Sequence, residues 1–283
     1  FKKSLKKYLK KKFSNFAHPN KAAEELSNTL KKIFPEFSKF ILCSTGAEAN
    51  IKALRIARAV SNKKIVVNVT GSWHGSVDQL LFSSDIKLKK KELSHGLDDS
   101  LKKNLVYIPY NNIDKTKSIL DKIKNKISCV FIEPIQGGLP TKNCIKYLKF
   151  LSKYCKKNQI ILILDEVLSG VRFNCSSIQS IYKIHAPIST FGKIIGGSLP
   201  IGVIGIRKNI EKIITKKKLK IFFGGTYSGN SLTCYVGNET LKFILKNKKI
   251  IFNKIEKQAS LFEKKINNFI EKNYIDAKAI RFH

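Results

Sequence analysis

The run Ile160-Ile161-Leu162-Ile163-Leu164-Asp165-Glu166-Val167 sets five apolar residues in a row and ends them with two acids. A strand with one wet face alternates apolar and polar residues, because successive side chains point to opposite sides of the sheet. A strand covered on both faces has no such alternation. The run is therefore read as a central strand with helices above and below it. Similar short runs occur at Phe40–Cys43, Ile65–Val69, Leu105–Ile108, Cys129–Ile132, Ile188–Phe191 and Val203–Ile206. Helical patterns separate most of them, at Ala47–Val60, Ile113–Ile127 and Cys144–Lys157. Strands alternating with helices predict an α/β domain with a mostly parallel sheet. Beyond Gly229 two long helical stretches follow, at about Asn230–Lys246 and Lys249–Lys272, and a further segment begins at Ala277–Phe282.

The 283 residues include 54 Lys+Arg against 20 Asp+Glu, a formal net charge of +34. Hydrophobic residues make up 43% of the chain, enough for a core, which excludes a disordered polycation. Only Arg55, Arg58, Arg172, Arg207 and Arg281 are Arg, leaving 49 Lys. A surface built to grip phosphates uses the guanidinium fork. The excess of Lys with Ile and Asn reads instead as a codon bias, so neither nucleic acid nor an acidic membrane is expected as partner. The densest cluster, between Lys2 and Lys12, carries Phe1, Leu5, Tyr8 and Leu9 at helical spacing and reads as an amphipathic helix with a solvated face. No apolar run has the length of a membrane span. Cys43, Cys129, Cys144, Cys155, Cys175 and Cys234 show no C-x-x-C spacing, and with the five His they complete no zinc pattern, so no metal is expected. Cytoplasm is the expected compartment. A chain that starts at Phe1 and contains no Met is expected to be a fragment.

In open α/β sheets ligands bind beyond the carboxyl ends of the strands. Six residue clusters lie there. Ser44-Thr45-Gly46-Ala47-Glu48-Ala49-Asn50 opens a helix whose free N–H groups can cradle an anion. Gly71-Ser72-Trp73-His74-Gly75 holds the only Trp, placed to stack on a planar ring or simply to cap the core. Glu133-Pro134-Ile135-Gln136-Gly137-Gly138 follows the strand at Cys129–Ile132. Of Asp165 and Glu166, one is expected to face the site and meet a cation. Ser189-Thr190-Phe191-Gly192-Lys193-Ile194-Ile195-Gly196-Gly197 sets one Lys among glycines and apolar residues, where desolvation would make its amine a nucleophile. Gly224-Gly225-Thr226-Tyr227-Ser228-Gly229-Asn230 is a Gly-rich turn before a long helix.

In order and spacing these clusters resemble the class III pyridoxal-phosphate (PLP) aminotransferases, and most nearly their glutamate-1-semialdehyde aminomutase branch. The run from Thr190 to Gly202 is similar to the branch's Schiff-base lysine segment, Ile163 to Arg172 to its aspartate segment, and Gly225 to Asn230 to its later phosphate loop. The resemblance implies fold type I, a mostly parallel mixed seven-stranded sheet with helices on both faces. It implies a PLP-binding large domain over 1–246, and a connecting helix with the start of a small domain over 247–283. Lys193 would form the Schiff base with PLP and carry a proton to and from the substrate. Asp165 would pair with the pyridine nitrogen. Trp73, at the family's Tyr or Phe, would stack on one ring face and Val167 would pack on the other. The backbone at Thr45, Gly46 and Ala47 would hold the phosphate, and His74 would have a supporting role. Thr226 would reach the cofactor of a neighbouring subunit, implying a homodimer. The expected activity is transfer of an amino group to, or within, a carbonyl metabolite. Departures are Ala47, where Ser or Thr is commoner, Gly138 in place of Glu or Asn, and a gating loop shortened between Leu81 and Leu97. A catalytically incomplete fragment and a basic polyanion-binding protein are the competing readings.

Overall fold

The computed structural model describes residues 2–11, 18–85, 87–141 and 143–281. Nine strands are present among them: β1 (Lys39–Cys43), β2 (Ile65–Val69), β3 (Phe82–Ser84), β4 (Lys90–Glu92), β5 (Leu105–Ile108), β6 (Ile127–Ile132), β7 (Ile161–Asp165), β8 (Ile188–Gly192) and β9 (Gly202–Ile206). Seven form one sheet in the order β1-β9-β8-β7-β6-β2-β5. β5, β2, β6, β7 and β8 run parallel, and β9 lies antiparallel to both β8 and β1. The seven predicted strands are these seven, with ends that move by at most two residues.

Alternation along β7 explains its composition. Ile161 and Ile163 enter a core cluster on one side of the sheet, Leu162 and Leu164 a second cluster on the other. Both faces are covered, so no polar residue is admitted until Asp165. The helices are α1 (Lys2–Lys11), α2 (Lys21–Ile33), α3 (Gly46–Ser61), α4 (Ile113–Ile123), α5 (Cys144–Lys157), α6 (Ile178–Tyr182), α7 (Lys208–Lys216), α8 (Ser231–Lys246) and α9 (Lys248–Lys272). Ala49, Ala53 and Ala57 of α3 pack on the first cluster, and Leu148 and Leu151 of α5 on the second. A third cluster joins Leu26 and Leu30 of α2 to Leu241 of α8 over Phe191 and Val203.

Two expectations need correction. The helical pattern read through Ile127 is α-helical to Ile123 and tightens to a 3-10 turn over Lys124–Lys126, because Ile127 to Ile132 is needed as a wholly buried strand. Residues 81–97, where the resemblance implies a shortened gating loop, contain the antiparallel pair β3–β4. On α1, Tyr8 is buried and stacks on Tyr235 with ring centroids 4.3 Å apart, but Leu9 is exposed. Phe1, Lys12 and Phe282, named in the sequence reading, lie outside the described residues. All six cysteines are buried and unbridged. No helix among the described residues is long and apolar enough to cross a membrane, and no three His, Cys, Asp or Glu gather there as a metal set.

Candidate active site

β1, β2, β6, β7 and β8 release their chains at one end of the sheet, and a cavity of about 300 Å³ opens there. That is the volume of a small-molecule site. Asp165, Val167 and Leu168 enter it from the end of β7, and Lys193 from the end of β8. Gly46, Ala47 and Asn50 enter from α3, Trp73, His74 and Gly75 from the turn after β2, and Glu133 from β6.

The start of α3 is built by capping. Thr45 Oγ1 accepts the N–H of Glu48 at 3.1 Å, and the Glu48 carboxylate reaches back to the N–H of Ser44 at 2.7 Å. The first-turn N–H groups of Gly46 and Ala47 have no intrahelical acceptor, and both residues border the cavity. Thr45 does not: its hydroxyl is used by the cap. A Cβ on Gly46 would sit 2.9 Å from Val167 Cγ1, so only glycine lets α3 approach β7 this closely.

The two adjacent acids part company. Asp165 Oδ2 accepts Asn50 Nδ2 at 2.8 Å and lies 2.8 Å from His74 Nδ1, while Oδ1 accepts the N–H of Val167 at 3.0 Å. Glu166 points away into full burial and accepts the N–H of Ile178 at 2.7 Å. Burial pushes its carboxyl up to about 8. Glu133 accepts the N–H of Trp73 at 2.8 Å, and burial raises its carboxyl too.

Lys193 borders the cavity, but it is exposed rather than desolvated, contrary to expectation. The desolvated lysine is Lys52, paired with Glu48 Oε1 at 2.5 Å. Lys193 adopts φ +46°, a left-handed conformation uncommon outside glycine, which starts the tight turn Lys193–Gly196. Trp73 is 57% exposed. Thr226 is exposed and is not among the residues that line the cavity, although its turn meets the start of α3 where Ser228 Oγ donates to Glu48 Oε1 at 3.4 Å.

The sequence model of the aminotransferase class-III family matches residues 2–282. The chain belongs to that family. Among curated relatives of this class-III chain, the glutamate-1-semialdehyde 2,1-aminomutase of Archaeoglobus fulgidus is 34% identical over 257 residues, covering 87% of this chain and 58% of that enzyme. The enzyme of the same name from Wigglesworthia glossinidia brevipalpis is 32% identical, covering 88% and 58%. The class-III chain thus spans somewhat under three fifths of their length. Its fold is that of the fold type I transaminases. A glutamate-1-semialdehyde aminomutase structure from Pseudomonas aeruginosa superposes with TM-score 0.86 at 17% identity, over 99% of this chain and 63% of that one. An omega-transaminase from Sphaerobacter thermophilus gives 0.76 at 22% identity, over 86% and 57%.

Sequence reasoning gave Asn50 no role, although its side chain holds both Asp165 and the carbonyl of His74, at 2.8 and 2.9 Å. Asn68, which meets His74 Nε2 at 3.1 Å, was hidden inside an apolar strand. The available signal was the same in each case: one amide on a helix or strand face otherwise occupied by Ala, Val and Ile.

Proposed function

We propose that this chain carries the site of a PLP-dependent enzyme that moves an amino group onto, or within, a carbonyl metabolite, in the manner of an aminotransferase or a glutamate-1-semialdehyde aminomutase. The observation that carries the reading is the convergence of Asp165 and Lys193, from neighbouring strand ends, on one cavity beside the start of α3.

The donor set fits PLP. A carboxylate fixed by N–H donors suits a protonated ring nitrogen, an amine suits the aldehyde, and first-turn N–H groups suit the phosphate. The buried Oδ1 of Asn50 has no partner among the described residues, leaving an acceptor free beside the cavity. Asp165 would hold the ring nitrogen, Val167 and Trp73 would flank the ring, and Gly46 and Ala47 would bind phosphate. When bound, PLP supplies an electron sink for the charge left on the substrate's α-carbon. Lys193 Nζ would take the proton from that carbon and deliver it to the cofactor carbon that bears the amino nitrogen, and would run the same transfer in reverse for the acceptor. Asp165, by staying charged, keeps the ring nitrogen protonated.

The site is open on the side of Lys193 and Trp73, and Thr226 lies away from it. A homodimer in which Thr226 serves the neighbouring site accounts for both, and closure by that second copy would desolvate Lys193. The division into 1–246 and 247–283 and a cytoplasmic location belong to the same reading. The test is Lys193→Ala. Purified wild-type protein should be yellow with PLP and lose that band on addition of an amino donor. The variant should show no donor-dependent spectral change, and undiminished turnover would sink the proposal.

A further inference from the structure

Four polar side chains meet at the floor of the cavity, and two of them have their polarity fixed by backbone. Asn68 Oδ1 accepts the N–H of Val69 at 2.9 Å, so that atom is an oxygen, and it lies 3.1 Å from His74 Nε2. Nε2 therefore donates. Asn50 Nδ2 lies 2.9 Å from the carbonyl oxygen of His74, which can only accept, so that atom is the amide nitrogen. The same nitrogen donates to Asp165 Oδ2 at 2.8 Å, and the N–H of Val167 donates to Oδ1 at 3.0 Å. With an N–H aimed at each carboxyl oxygen, Asp165 acts as an acceptor on both sides. His74 Nδ1, 2.8 Å from Oδ2, must then donate as well. An imidazole that donates from both nitrogens carries a positive charge.

Burial agrees with this pairing. His74 is 2% and Asp165 4% exposed. A lone charge at such depth is costly, whereas a hydrogen-bonded opposite pair is tolerated. The other ionisable groups around the cavity are Glu133 and Lys193. From β6, Phe131 packs against the imidazole in a T-shaped arrangement with ring centroids 4.5 Å apart and adds no competing polar group.

We propose that His74 is an imidazolium clamped between Asp165 and Asn68, and that it acts as a positioning residue which keeps Asp165 a carboxylate before any cofactor arrives. Asn68 sets the proton count: its oxygen obliges Nε2 to donate, which leaves Nδ1 able to face a carboxylate only by donating too. The inference deepens the proposed function, resting on its assignment of Asp165, but its geometry holds without it.

The experiment is nitrogen-15 NMR of histidine-labelled purified protein, with and without added PLP. His74 is assigned by the signals lost in His74→Gln. Two slowly exchanging N–H correlations with imidazolium nitrogen shifts are expected at neutral pH in both samples. Asn68→Leu should leave one N–H, on Nδ1. Asn68→Asp, which keeps the acceptor and the shape, should retain both. A wild-type His74 with a single N–H overturns the proposal, as does an Asn68→Leu protein that keeps both. A doubly protonated His74 in a protein that takes no PLP would refute the enzymatic reading and leave the clamp standing.

Discussion

Asp165 and Glu166 are neighbours in sequence with opposite environments. Asp165 is met by two amide N–H donors, an imidazole and the Thr190 hydroxyl, and Glu166 by a backbone N–H and the Ser169 hydroxyl in an otherwise sealed interior. Asp165→Asn keeps the shape and removes the charge from His74 and from the ring nitrogen. The barrier to deprotonating the substrate should rise by roughly 3–5 kcal/mol, the scale of a broken buried pair. PLP should still bind through phosphate and lysine. Stopped-flow absorbance of a single turnover measures this, and a near wild-type rate would shift the role to another acid. For Glu166 the effect is on stability. Its folded value of about 8 stands above the ordinary 4.5, so the folded state holds a proton that the unfolded state has released. Stability should therefore decline as pH rises from about 5 to about 8, because νU is smaller than νN. Glu133 contributes with the same sign. Glu166→Gln should flatten part of that decline, read as the Tm difference from wild type across the same pH range.

At the scale of elements, the cradle depends on backbones that nearly touch. A Cβ on Gly202 at the start of β9 would lie 1.9 Å from the carbonyl oxygen of Thr45, the residue that caps α3. That oxygen also accepts the N–H of Ala49 at 3.0 Å, so it cannot retreat without unwinding the first turn. Gly202→Ala should cost about 1–3 kcal/mol of overpacking, a Tm loss of roughly 2–5 °C for a chain of this size, and weaken PLP binding further than stability alone explains. Differential scanning calorimetry with a PLP titration separates the two effects. β7 was the most legible strand because burial on both faces leaves one pattern, an unbroken apolar run, while β2 and β8 keep that pattern around a buried Asn68 and around Ser189 and Thr190. α2 and α7 were not: α2 carries Ser27, Thr29 and three Lys among its Leu residues, and α7 is short and Lys-rich. The same limit applied to the site. Asp165 and Lys193 were readable because charges are rare at strand ends, while the exposure of Lys193 depends on which chains surround it and is written in no local pattern.

For the molecule as a whole, the question is what +34 means. Ion pairs such as Lys102 with Glu92 and Asp99, and Lys117 with Asp121, use a fraction of the Lys residues at the surface. If the rest is composition and not design, binding to DNA should be weak, fall steeply with salt and show no saturable site. Fluorescence anisotropy with duplex and single-stranded oligonucleotides tests this. A submicromolar saturable complex at physiological salt would make polyanion binding the function instead.

The antiparallel pairing of β1 with β9 has a consequence during synthesis. Among the described residues, Lys39 to Cys43 find their only sheet neighbour in Gly202 to Ile206, encoded some 160 residues later. At about 5–20 residues per second, a ribosome needs roughly ten to thirty seconds to deliver it. Throughout that interval β5, β2, β6 and β7 can assemble as they emerge, each beside a partner close in the chain. The segment that opens α3 can pack on β7 and β8 as they emerge, but its capping residue Thr45 lacks its neighbour Gly202 until β9 appears. An apolar strand is thus carried unpaired on the nascent chain, a natural client for a holdase, and the cap of the anion cradle is completed only when β9 closes over it.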